Sequence, residues 1–158
     1  MNTSMKRRVF LKRSLSVSTL GVAVGAGLLS PQAILAAWNE ASFAAKSEKD
    51  AITGAMGSAA TTASEDITIK APDIAENGAV VPVAVKTSIA DVTSIAMLVE
   101  KNGTPLSAIF NLPAGTIADV STRLKMGKTG DVIAVVKAGG KLYSARKSVK
   151  VTIGGCGG

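Results

Sequence analysis

The sequence predicts a mainly β protein: an immunoglobulin-like antiparallel β-sandwich of about seven strands, preceded by an N-terminal helix and a cleavable signal segment. Two observations carry this. From Ile67 onward apolar and polar residues alternate with period two, as in Val81, Val83 and Val85, which one strand face would bury together. Turn-forming clusters then divide the chain at short intervals: Glu76-Asn77-Gly78, Lys101-Asn102-Gly103-Thr104-Pro105, and Ala138-Gly139-Gly140-Lys141.

The elements follow in order. Residues 1–37 form the signal segment. Lys6 to Ser14 is basic, Leu15 to Leu29 is weakly apolar and rich in small residues, Pro31 breaks the run, and Leu35-Ala36-Ala37 offers a cleavage site. A membrane span needs roughly 20 strongly apolar residues, which this run lacks. Arg7-Arg8 followed by Val9-Phe10-Leu11-Lys12 resembles the twin-arginine export signature, with Lys6 where Ser or Thr usually stands. The expected location of the mature chain is the periplasm, with no membrane attachment.

Residues 38–57 are rich in helix formers and predict one short helix, with Asn39 as its cap and Phe43, Ala44, Ser47, Ala51 and Ala55 along one face. Residues 58–66 read as a polar linker. Residues 67–153 form the sandwich domain, with strands beginning near Ile67, Ala79, Asp91, Leu106, Ala118, Asp131 and Lys141, the last running to Ile153. Residues 154–158 form a glycine-flanked arm.

Charge and composition exclude several functions. The chain has 18 basic and 11 acidic residues, but five of the basic ones lie in the signal segment. The 13 that remain against 11 acids leave a net charge of +2 and no basic block. With one Trp, one Tyr and three Phe there is no stacking platform for bases, so nucleic-acid binding is not expected. The absence of histidine and the single cysteine rule out a cluster of soft ligands for zinc, haem or iron–sulfur, and also a Ser–His–Asp or Cys–His arrangement. No metal and no resident cofactor are expected. A twin-arginine signal on such a chain points to export with a folded partner. Arg123, Lys125 and Lys128 gather near one turn, where they serve as a solvated strand face or an anion contact.

The chemistry concentrates in the tail, Val151-Thr152-Ile153-Gly154-Gly155-Cys156-Gly157-Gly158. Three extended residues span about 10 Å. Glycines on both sides of Cys156 remove every Cβ that would clash in a narrow channel. Ordering such an arm costs on the order of 1–2 kcal/mol per residue, which suits a carrier that must be released after each visit. No Lys, Arg or His lies in the tail to favour the thiolate, and the terminal carboxylate two residues away disfavours it. Activation therefore has to come from whichever protein receives the arm, and the chain is expected not to be an enzyme. Two other readings stand beside this one. An exported interaction module would use Cys156 only for intermolecular disulfides. A ubiquitin-like carrier would use a terminal glycine thiocarboxylate, which export and the cysteine both oppose.

The terminal Gly-Gly-Cys-Gly-Gly after Val149-Lys150-Val151-Thr152-Ile153, the stretch Ala71 to Val85 and the export leader together resemble the SoxY family, the sulfur-carrier subunits of the bacterial thiosulfate-oxidising (Sox) system. The resemblance implies that Cys156 is the covalent attachment site for thiosulfate-derived sulfur, with Gly154, Gly155, Gly157 and Gly158 as its arm. It implies a heterodimer with a leaderless SoxZ-like subunit. It further implies loading by a SoxAX-like c-type cytochrome, removal of sulfate by a SoxB-like hydrolase and, in some hosts, oxidation of the remaining sulfur by a sulfane dehydrogenase.

Overall fold

The computed structural model describes residues 39–152. The signal segment with Arg7 and Arg8, and the arm with Gly154, Gly155, Cys156, Gly157 and Gly158, lie outside the described residues. The described part is mainly β. Seven strands follow the alternation: β2 (Ile67–Lys70), β4 (Val81–Thr87), β5 (Val92–Val99), β6 (Leu106–Asn111), β7 (Asp119–Leu124), β8 (Gly130–Ala138) and β9 (Lys141–Val151). Two two-residue strands, β1 (Thr62–Ala63) and β3 (Ile74–Ala75), add to them.

These strands make two sheets. One runs β1-β9-β8-β5-β6, with β3 also paired to β9; the other runs β2-β4-β7. Pairing is antiparallel throughout except that β1 and β3 both join β9 in parallel. Gly139 and Gly140, at φ 53° and 76°, turn β8 into β9, a backbone conformation that residues with a Cβ rarely adopt.

The main core lies between the sheets. Val81, Val83 and Val85 of β4 point inward while Pro82 and Lys86 face solvent. They meet Ile95, Met97 and Val99 of β5, Val132, Ala134 and Val136 of β8, and Val149 of β9. A second apolar cluster covers the other face of the larger sheet, where Ala96, Leu98, Ile133, Val135 and Leu142 pack on Ala51, Ile52 and Met56. Strands β5 and β8 are thus buried on both faces, and their sequences run continuously apolar (Ile95–Val99, Val132–Val136) rather than alternating.

The helical segment departs from the single helix expected over 38–57. There are two helices, α1 (Glu40–Ala44) and α2 (Glu48–Met56). Ser47 lies on no helix face. It is the extended N-cap of α2 and accepts the Asp50 N–H, which interrupts the helix before it. Asn39 caps α1 by accepting the Ser42 N–H and also donates to the Gly54 carbonyl at 2.6 Å, closing α1 onto α2. The buried residues are Ser42, Ala51, Ile52 and Met56; of the expected face Ala51 is among them, Phe43 and Ala55 pack against the same cluster only partly buried, and Ala44 and Ser47 are exposed. Gly57 ends α2 in the left-handed conformation, and the Lys137 ammonium donates to the Met56 carbonyl there. The expected linker is also tied down: Thr62 and Ala63 pair with Tyr143 and Ser144.

Candidate functional site

The last described residues before Gly-Gly-Cys-Gly-Gly are held from three sides. On one flank β8 pairs with β9 as far as Gly130 opposite Val149. Beyond that point Thr129 takes over: its hydroxyl oxygen accepts the Val151 N–H at 2.9 Å, and the same hydroxyl lies 3.3 Å from the Val151 carbonyl as a donor. A hydroxyl has one proton and two lone pairs, so it can make both bonds at once.

On the other flank β3 lies parallel to β9, Ile74 beside Lys150 and Ala75 beside Val151. Lys150 N–H donates to the Asp73 carbonyl at 2.9 Å, and Thr152 N–H donates to the Ala75 carbonyl at 3.1 Å. Side chains pin the same strand, because the Lys147 ammonium pairs with the Asp73 carboxylate at 2.9 Å. That hydrogen bond, and then the lysine's charge, holds the Asp73 carboxyl below its ordinary range.

The third side is Gly78. A Cβ at this position would run into the Met126 carbonyl oxygen and would lie 2.8 Å from a Val151 methyl. Met126 N–H donates back to the Gly78 carbonyl at 2.7 Å. Only glycine lets this turn close over the end of β9. The result is that backbone as far as Thr152, the last described residue, is anchored. The strand itself ends at Val151, two residues short of the expected Ile153, and Ile153 lies outside the described residues.

None of the anchoring residues stands out in the sequence. Strand β3 is too short to show periodicity, and Thr129 reads as part of a Gly-Lys-Thr-Gly turn. The only available signal was Gly78 in a turn cluster. Of the cations singled out near one turn, Arg123 lies on the solvent side of β7, while Lys125 contributes its backbone carbonyl to the Asn102 side-chain amide at 2.7 Å.

The family model for "Sulfur oxidation protein SoxY" matches residues 52–156, which includes Cys156. The structure of the sulfur carrier protein SoxY from Chlorobium limicola f thiosulfatophilum is 48% identical over 66% of this chain and 94% of its own, with a TM-score of 0.61. A superoxide reductase (neelaredoxin) from Ignicoccus hospitalis is 22% identical over 58% of this chain and 81% of its own, with a TM-score of 0.50, a likeness of fold alone. No curated protein matches the chain.

Proposed function

This chain belongs to the SoxY family of sulfur oxidation proteins, and from that premise we propose that it is a periplasmic covalent sulfur carrier whose load rides on Cys156. The observation that carries the proposal is a contrast. The body anchors its last strand by backbone and side-chain bonds as far as Thr152, and the residues that follow soon become Gly-Gly-Cys-Gly-Gly. A handle of this kind needs a fixed root and a tip without bulk.

The chemistry follows from the thiol. Joining Cys156 Sγ to the terminal sulfur of thiosulfate forms an S–S bond, releases the thiol proton and yields two electrons. A c-type cytochrome of the SoxAX kind is the one-electron acceptor that takes them in two steps. Water then cleaves the S–sulfonate bond on a SoxB-like hydrolase, releasing sulfate and two protons and leaving a persulfide anion on Cys156. A sulfane dehydrogenase oxidises that persulfide where the host has one. Throughout, the chain is substrate rather than catalyst, and no resident cofactor is required.

The sheet order supports an immunoglobulin-like reading of the sandwich. β2-β4-β7 stands opposite β9-β8-β5-β6, with sequence neighbours β4 and β5 in different sheets. Export by the twin-arginine route through Arg7 and Arg8, in company with a SoxZ-like subunit, completes the proposal. The test is the Cys156→Ser variant in the reconstituted thiosulfate-oxidising system. Loss of turnover with an unchanged unfolding curve is the expected result. Retained turnover would show that Cys156 bears no load and would leave the interaction-module reading.

A further inference from the structure

We infer that the solvent face of the three-stranded sheet is a docking groove for an acidic segment of a partner protein. The inference rests on the carrier reading, because a carrier must be recognised by the enzymes that act on its arm. The groove crosses β2, β4 and β7, with Pro82, Ala84 and Ser121 exposing short side chains along it and Lys70, Arg123 and Lys147 around it. No carboxylate lines it.

Its charges are available. On the same face Lys86 and Asp119 neutralise each other, opposite in register and 3.9 Å apart. Lys147 is engaged by Asp73. Lys70 and Arg123 have no ion-pair partner among the described residues.

Spacing favours a segment over a small ion. Lys70 is in register with Ala84, and Ala84 with Ser121, so Lys70 and Ser121 stand two strand spacings apart, about 10 Å. Arg123 is two residues further along β7, about 7 Å. The two cations therefore sit on a diagonal of about 12 Å, close to the span of residues i and i+4 in an extended chain. The groove is open to solvent, so a lone oxyanion would remain hydrated there. Two carboxylates on one backbone would meet both cations across the low floor.

The groove also borders β9, whose Lys147 lines it. Its Pro82–Arg123 end belongs to the part of β4 that follows Gly78, the residue abutting Val151. From Thr152, Cys156 is four residues away, a reach of about 13 Å. A partner seated on the groove therefore sits beside the strand from which the Cys156 segment continues.

The experiment uses the mature chain with its second subunit and measures thiosulfate-dependent cytochrome reduction, with the carrier as varied substrate. The double variant Lys70→Glu/Arg123→Glu is compared with a control of equal charge change, Lys46→Glu/Lys49→Glu, and with Cys156→Ser. The expected result is a fall of about tenfold in kcat/KM for the carrier at low ionic strength in the first variant, with kcat unchanged. That difference should shrink toward the wild type near 0.3 M salt, where the Debye length drops to about 6 Å. Equal behaviour of the two charge variants at every salt concentration overturns the inference while leaving the carrier reading intact. A rise confined to the KM for thiosulfate assigns the groove to a small anion and also overturns it. Activity in Cys156→Ser overturns the carrier reading itself, and the inference with it.

Discussion

Thr129 bonds both backbone groups of Val151 through a single hydroxyl, accepting from the N–H at 2.9 Å and donating to the carbonyl at 3.3 Å. Strand β8 begins only at Gly130. This side chain therefore extends the ladder past the last backbone pair and fixes where the anchored strand ends. Thr129→Val, nearly isosteric, removes both bonds. Each is worth roughly 0.5–1.5 kcal/mol net, and the partial exposure of the site puts the total near the low end, about 1 kcal/mol. Amide exchange at Val151 should accelerate accordingly, and Thr129→Ser should restore it. Unchanged exchange in the valine variant would show that Thr129 does not hold the root.

Gly78→Ala should destabilise the whole domain. The new Cβ meets the Met126 carbonyl, a backbone atom that cannot swing aside, and a Val151 methyl. Overpacking of this kind costs about 1–3 kcal/mol. The measurement is the urea midpoint, which should fall at constant m. Gly103→Ala serves as the control, because a Cβ there has no neighbour within 4 Å.

Acid should loosen strand β3. The Asp73 carboxyl is held below its ordinary range, first by the Lys147 hydrogen bond and then by its charge. Glu100 is likewise held down by its hydrogen bond from Lys101. A carboxyl whose folded value is depressed stabilises the fold fully above its unfolded value, near 3.9 for aspartate, and that contribution is lost as pH falls through the lower folded value. Asp73 is solvent-exposed and Glu100 half-buried, so the effect is modest and screened by salt. Lys147→Met should flatten the acid limb of stability against pH, and an unchanged limb would remove Asp73 from the explanation.

Gly155→Val and Gly157→Val should leave the unfolding curve untouched while slowing transfer of sulfur between partner enzymes. A β-branched side chain narrows the accessible φ/ψ range and adds bulk beside Cys156. Transfer at the wild-type rate in both variants would mean that no narrow channel receives the thiol.

Much of this fold was legible because one-sided burial leaves a mark. Strand β4 alternates Val81, Val83, Val85 against Pro82, Ala84, Lys86, and its sequence alone announces a strand. Gly139-Gly140 likewise marks its hairpin. The signal weakens at β5 and β8, since the helices cover their second face and erase the alternation. It vanishes for β1 and β3, which are two residues long and exist only because β9 offers them an open edge. Ser47 reads as a helix-face position in the sequence, yet caps a helix in the fold, because a cap and a helical position share the same local spacing. The Cys156 reading rests on composition alone, one thiol among four glycines, and the residue lies outside the described part of the chain. Thr129 and Asp73 were not legible, because what they do depends on where β9 passes.

The most direct measurement is the intact and C-terminal peptide mass of the chain purified from thiosulfate-grown cells, with and without reductant. A sulfur- or thiosulfate-sized increment on Cys156 that reductant removes is the predicted result. A bare thiol, or only a symmetric disulfide between two chains, would contradict a carrier that holds its load on this residue.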